Sequence, residues 1–265
     1  PFYTRTKASD GADARTRQAK VRYMCIDVLQ RVMETAADTI AQEYRNVVAS
    51  SERSGNIGGT GQLNLTPEEE GLQRSEQDWI GLTLLDLEAG EQSAVCEHSP
   101  LVCALLHFFD PAGVAFPPTS DESRDEMVGS DTAAARAKQL IDSAGVSIAT
   151  GDEIGLRFSQ ARYSVLQPGG YIRPHCGGVN NRLRLHLTLQ APADPAEVTE
   201  AGAAAVDGNM GAGAAATLTV NGSVYQYQAG KALVFDDTFE VRHSYSFSYR
   251  CARSKNCAAY IRLAL

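Results

Sequence analysis

The chain has 265 residues and a formal net charge of −8, from 24 basic and 32 acidic residues. That balance excludes a general nucleic-acid binder and makes any basic feature local. Hydrophobic residues make up 43%, ordinary for a globular domain with a core, and no run approaches the roughly 18–20 apolar residues of a membrane helix.

No signal-peptide pattern opens the chain. It starts at Pro1 rather than Met, which reads as a piece of something longer with any targeting segment or anchor outside it. Residues 1–18 are polar and charged and read as a flexible arm. Residues 19–265 read as a single domain, helical over about 19–150 and a β core over about 154–265. From Val21 to Ala49 the apolar positions Val21, Met24, Val28, Leu29, Val32, Met33, Ala36 and Ile40 recur at three and four, an amphipathic helix or a pair of them. Residues 50–75 carry turn residues and charge and read as a long connection. "WIGLTLLDL" (79–87) reads as a strand, and "SPLVCALLHFF" (99–109) as a helix capped by Ser99 with Pro100 at its first position. A loop over 110–131 and a helix over 132–143 follow.

Strands are then expected over 154–167, 182–192, 216–228 and 231–237, with two C-terminal runs after them and a flexible Ala/Gly-rich insertion at 193–215. Asn221-Gly222 marks a two-residue hairpin. Helices first and antiparallel strands after predict an α+β fold built on a β-sandwich or barrel.

Six cysteines include two short-loop pairs, Cys96 with Cys103 and Cys251 with Cys257, while Cys25 and Cys176 are isolated. Disulfides in an oxidising compartment and free thiols both fit that spacing. No pair has the C-x2-C spacing of a structural zinc site. Asn64-Leu65-Thr66 and Asn221-Gly222-Ser223 are glycosylation sequons. Paired cysteines and sequons favour the secretory-pathway lumen, with the cytoplasm as the alternative.

The chemistry concentrates in "GGYIRPHCGGVNNRLRLHLTL" (169–189). A period of two puts Arg182, Arg184, His186 and Thr188 on one face of a strand and Leu183, Leu185, Leu187 and Leu189 on the other. A surface sheet would explain this, but the neighbouring strands argue against it. "ARYSVLQPGG" puts Arg162, Ser164 and Leu166 on one face, "EVRHSYSFSY" contributes His243, and "AAYIRLAL" embeds Arg262 among apolar residues. A buried arginine needs a carboxylate, and the strands at 182–189 and 258–265 carry no acid, so the expected supplier is a ligand. A small dicarboxylic acid gripped by guanidinium forks at both ends fits. Of five histidines, His98 and His107 suit surface or structural roles. His175, after a Gly-Gly turn, and His243, on a later strand, suggest a non-haem Fe(II) centre with open positions for co-substrate and O2.

These stretches resemble the aspartyl/asparaginyl β-hydroxylases, Fe(II)- and 2-oxoglutarate-dependent dioxygenases with a double-stranded β-helix (jelly-roll) core. The match runs through "QRSEQDWIGLTLL" (73–85), "CEHSPLVCALL" (96–106), "YSVLQPGGYIRPHCGGVNNRLRLHLTL" (163–189) and "AGKALVFDDTFE" (229–240). The resemblance implies a jelly-roll core with flanking N-terminal helices. It also implies that His175 is the first iron ligand and that Ser164, Arg184 and His186 hold 2-oxoglutarate. Arg74, Arg182 and again Arg184 would receive the substrate's carboxylate, and a disulfide would join Cys96 to Cys103, the Cys251–Cys257 pairing staying open. Gly177 takes the place where many 2-oxoglutarate oxygenases carry a metal-binding carboxylate, in agreement with this family's two-histidine site.

Two positions depart from the family pattern. Its second histidine directly follows "FDD-x-FE", where this chain has Val241. His243, two residues on, keeps side-chain parity and is the expected second ligand if a slip or bulge absorbs the difference. The family spacing for the arginine that binds the distal carboxylate of 2-oxoglutarate lands on Arg253. A hairpin pairing 241–249 with 258–265 would instead put Arg262 beside the metal, and Arg262 is the expected residue with Arg253 as runner-up.

The implied activity is hydroxylation of the β-carbon of an aspartyl or asparaginyl residue in a peptide or protein, with Fe(II), 2-oxoglutarate and O2. Nucleic acid is not an expected partner, and no membrane segment is expected within this stretch. The same fold acting on a free amino acid or small molecule, by hydroxylation or halogenation, is an alternative. A non-catalytic jelly-roll binding module that has lost iron with Val241 is another.

Overall fold

The computed structural model describes residues 14–53, 71–72, 79–86, 91–92, 95–110, 133–144, 156–167, 169–177, 182–191, 215–246 and 258–264. Arg74, Arg253, Cys251, Cys257, the sequon at Asn64 and the insertion at 193–214 lie outside these residues. So do residues 1–13 of the expected arm.

Helices α1 (Ala14–Thr35) and α2 (Ala37–Arg53) meet at Ala36, so the amphipathic pattern is broken in two. α1 begins inside the stretch read as an arm, and α2 runs past the expected end at 49. Val28, Leu29, Val32, Met33 and Ile40 are buried, as their three- and four-residue spacing requires. Short α3 (Val95–His98), α4 (Pro100–Phe109) and α5 (Ala133–Ser143) complete the helical layer. A Cys96–Cys103 disulfide ties α3 to α4.

The start of α4 differs from expectation. Pro100 stands at the first turn, but the Ser99 hydroxyl makes no cap bond and lies 2.8 Å from the Tyr163 hydroxyl. The unpaired N–H groups of a helix start need an acceptor. Here the Glu43 carboxylate, reaching over from α2, accepts from Leu101 N–H at 2.8 Å and Val102 N–H at 3.2 Å. Burial pushes the Glu43 carboxyl above its usual value, and those two N–H groups oppose the shift.

Ten described strands form two sheets: β1 (Trp79–Asp86), β2 (Glu91–Gln92), β3 (Gln160–Leu166), β4 (Tyr171–His175), β5 (Leu183–Gln190), β6 (Ala215–Val220), β7 (Ser223–Gln226), β8 (Ala232–Asp236), β9 (Val241–Ser246) and β10 (Ala258–Ala264). One sheet runs β2-β1-β3-β10-β5-β8 and the other β4-β9-β6-β7. All pairings are antiparallel. From β3 onward the chain crosses between the sheets at nearly every step, and only β6 and β7 are consecutive in one sheet. That winding is a double-stranded β-helix, so the fold is α+β, a jelly roll with flanking N-terminal helices. At the β6–β7 turn Asn221 (φ 47°) and Gly222 (φ 78°) are both left-handed, as a type I′ hairpin requires.

Two expectations about strands are corrected. β4 falls where no strand is expected, because Pro174 and the flanking glycines mask its strand character. β9 and β10 do not form a hairpin: β9 pairs with β4 and β6, and β10 with β3 and β5. β1 joins the larger sheet through β3.

The main core lies between the helices and the outer face of the larger sheet, where Leu185, Leu187 and Leu189 pack with residues of α1 and α2. Each fully buried leucine contributes about 1.5–3 kcal/mol. A smaller apolar cluster, including Trp79, Leu166, Ile172, Leu218, Tyr227 and Val241, fills the roll between the sheets.

Candidate active site

β5 is buried on both faces. Opposite its leucines, Arg184, His186 and Thr188 are buried. Across the larger sheet the register sets Arg162, Arg262 and His186 in one row. This places Arg262 next to His186 through strands β3, β10 and β5, without the hairpin that the sequence suggested. On β3 the buried Arg162 guanidinium lies over the Trp79 ring, 5.2 Å from its centroid, a cation–π contact. Trp79 Nε1–H donates to Ser164 Oγ at 2.6 Å.

The arginines also have a protein acid. Arg184 Nε donates to Asp237 Oδ2 at 2.6 Å and Arg182 Nη2 to the same oxygen at 3.3 Å. Asp237 follows β8 in the "FDD" stretch, not on an arginine strand, so the expectation that a ligand supplies the carboxylate is corrected for Arg182 and Arg184. Burial pulls the Arg184 guanidinium down to about 10, against the pull of Asp237, and it stays charged at neutral pH. One carboxylate cannot cancel two guanidinium charges. Among the described residues, Arg182 Nε, Arg184 Nη1 and Asp237 Oδ1 are buried with no hydrogen-bond partner, a cost of about 1–3 kcal/mol each. The Arg182–Arg184–Asp237 cluster therefore keeps net positive charge and spare N–H donors, the complement of an anion.

His175 ends β4 and His243 lies on β9, its neighbour in the smaller sheet. A register irregularity falls between Ile172 and His175, and the two imidazoles face each other with centroids 6.2 Å and planes 24° apart. His175 Nδ1 is 2.9 Å from the Arg173 carbonyl oxygen; a carbonyl only accepts, so Nδ1 carries the hydrogen and Nε2 the lone pair. His243 Nδ1 is 3.0 Å from the Tyr227 hydroxyl. A metal-binding imidazole characteristically donates its other ring N–H to a fixed acceptor, so this pair fits a metal held through Nε2. Among the described residues, no group of three or more His, Cys, Asp or Glu side chains is gathered to hold a metal ion.

Gly177 has a steric reason. A Cβ there would lie 2.5 Å from Asp237 Cγ, and Gly177 N–H donates to the Asp237 carbonyl. No carboxylate side chain fits two residues after His175 while Asp237 holds the arginines. His98 lies elsewhere, its Nε2 3.2 Å from Ser50 Oγ. Sequence reasoning missed Tyr227, which reads as an ordinary strand residue, and Asp237, whose signal was present in "FDD" but was not connected to the arginines.

The jelly roll sets two imidazoles on one sheet and buried arginines on the other. The family model described as Aspartyl/Asparaginyl beta-hydroxylase matches residues 134–246, a span that holds both histidines, Arg182, Arg184, His186 and Asp237. The chain resembles that family over this span. It is 26% identical over 174 residues to the aspartyl/asparaginyl beta-hydroxylases of Mus musculus and Homo sapiens. The match covers 66% of this chain and 15% of the length of either relative. Similar solved structures include the Cupin_2 domain of an XRE family transcriptional regulator from Enterobacter cloacae, at 9% identity and TM-score 0.27, covering 41% of this chain and 81% of that one. A predicted oxalate decarboxylase from Thermotoga maritima, at 9% identity and TM-score 0.26, covers 41% of this chain and 66% of its own. Among the described residues no helix is long and apolar enough to cross a membrane.

Proposed function

We propose that the chain is an Fe(II)- and 2-oxoglutarate-dependent dioxygenase that hydroxylates the β-carbon of an aspartyl or asparaginyl residue in a peptide. The observation that carries this reading is the pairing of His175 and His243, centroids 6.2 Å apart, in a roll that also buries Arg184 and His186. His175 and His243 hold Fe(II), which when bound supplies O2 activation coupled to decarboxylation of 2-oxoglutarate. Ser164, Arg184, His186 and Arg262 hold the co-substrate's carboxylates, and charge-assisted bonds to a guanidinium are the strong choice for that task. Arg182 and Arg74, with Arg184 shared, orient the substrate's carboxylate so that its β-carbon is the atom presented. The partnerless N–H donors of Arg182 and Arg184 support an anionic guest, and the lack of room for a side chain at Gly177 supports a two-histidine centre.

An anaerobic titration with Fe(II) and 2-oxoglutarate tests the reading. The parent protein should develop a weak visible metal-to-ligand charge-transfer band that His175→Ala and His243→Ala abolish. No band in the parent, or an undiminished band in both variants, would overturn it. Mass spectrometry of Asp- and Asn-containing peptides after aerobic turnover should show the gain of one oxygen.

A further inference from the structure

Tyr227 lies just past β7, 2% exposed, with its hydroxyl 3.0 Å from Nδ1 of His186 and 3.0 Å from Nδ1 of His243. The phenol thus bridges the two sheets, linking β5 of the larger to β9 of the smaller. The Tyr227 ring plane is 18° from that of His186 and 10° from that of His243, with centroids 6.2 and 6.5 Å away. The edge-on Phe235 ring, 4.8 Å from His186 at 89°, fixes the His186 plane.

A phenol has one hydrogen, and a neutral imidazole has one N–H and one lone pair. With His243 Nε2 committed to a metal, the His243 hydrogen sits on Nδ1 and points at the Tyr227 oxygen. The phenol hydrogen then turns to His186 Nδ1, 3.0 Å away, which accepts it only if the His186 hydrogen sits on Nε2. We propose that Tyr227 is a positioning residue that transmits metal binding at His243 to the tautomer of His186, so that a metal-loaded site presents His186 Nε2–H as a donor to a carboxylate. No proton enters or leaves; only the positions of the hydrogens along the bridge are set. The proposal deepens the function above and rests on His243 being a metal ligand. By linkage, metal and carboxylate then strengthen each other's binding by the same factor.

Zn(II), which is redox-inert, is the probe, read by two-bond 15N–1H correlation spectra of 15N-histidine-labelled protein. Zinc-saturated parent protein should show His186 as the Nε2–H tautomer. Its affinity for 2-oxoglutarate, measured calorimetrically without turnover, should rise on zinc loading. Tyr227→Phe keeps the ring and removes the hydroxyl. It should bind zinc roughly 10–100-fold more weakly, show mixed His186 tautomers at zinc saturation, and keep only that part of the zinc-dependent gain in 2-oxoglutarate affinity that direct ligation of the metal supplies. A thermal melt confirms that the variant is folded; should it not fold, the parent spectrum alone decides. His186 carrying its hydrogen on Nδ1 in the zinc-loaded parent would overturn the proposal, as would a Tyr227→Phe variant with parental zinc affinity and tautomer. Failure of the metal reading looks different: zinc would fail to bind the parent, or would bind His175→Ala and His243→Ala as tightly as the parent, and the proposal would fall with it.

Discussion

The two faces of β5 are buried alike and held by opposite means. Outward, Leu185 and Leu187 are fully buried; inward, Arg184 is 5% and His186 1% exposed. The leucines gain from leaving water, and helices α1 and α2 need only supply shape. The inward residues lose hydration, which must be offset by named partners: Asp237 for Arg184, Tyr227 for His186. The comparison teaches that one strand's parity separates stability from chemistry. A change on the leucine face should alter how much protein is folded, and one on the arginine face what the folded protein binds.

The largest effect expected is on the inward side. His175→Ala or His243→Ala should take iron-dependent turnover to the uncatalysed background with the melting temperature little changed, whereas His98→Ala should remain active. A large stability loss with retained turnover would reverse the assignment of the faces. Leu187→Ala is the mirror experiment. Denaturant unfolding should show a loss of about 2–5 kcal/mol, while zinc affinity of the folded protein stays parental. Next comes the arginine pair. Arg262→Ala should raise the 2-oxoglutarate requirement roughly a hundredfold, about 3 kcal/mol for a desolvated charge-assisted pair, with metal affinity little altered. Arg253→Ala should leave that requirement nearly unchanged. The reverse pattern would show that register beside His186 is a poor guide to which arginine grips the co-substrate.

Legibility in the sequence followed the range of the interactions. The alternation of 182–189 announced two faces, the helix spacing announced α1 and α2, and Asn221-Gly222 announced a hairpin, because each is local. The acid for Arg184 was not legible from its own strand, since Asp237 is brought in from 53 residues away. The pairing of β9 with β10 was expected from nearness in sequence and is absent because a jelly roll sends consecutive strands to opposite sheets. Arg262 reached the row of His186 regardless, through non-local pairing with β3 and β5. Tyr227 carried no signal: a tyrosine in a β-rich run reads as packing until its hydroxyl is seen between two imidazoles.

The helical layer that covers the leucine face offers a smaller effect. The Cys96–Cys103 bridge closes a short loop, and its reduction should cost about 2–3 kcal/mol in the chain-entropy model. Native, unreduced protein should protect both thiols from alkylation, and free alkylation of both would remove the bridge from the account. Metal affinity of the folded, reduced protein should be unchanged, because the bridge belongs to the outer layer alone.

The smallest effect belongs to Glu43, on the same layer. Burial raises its folded carboxyl pKa, against the opposing pull of Leu101 and Val102 N–H and of Arg136. Between the unfolded and the raised folded value the native state holds more protons than the unfolded one. The unfolding free energy therefore falls as pH rises through that window. Glu43→Gln removes the titration and weakens acceptance at the start of α4, at a cost on the order of 1 kcal/mol for a hydrogen bond. That cost should be greatest at acidic pH, where the parent carboxyl is protonated, and should shrink as the parent ionises. Urea unfolding of both proteins from pH 4 to 8 measures the difference directly, since the other titrating groups are shared. A gap that widens with pH would mean that the helix start, rather than desolvation, governs Glu43. The outer layer would then hold a charge stabilised by its partners, as the inward face of β5 does, and the division between the two faces would be less sharp than their residues imply.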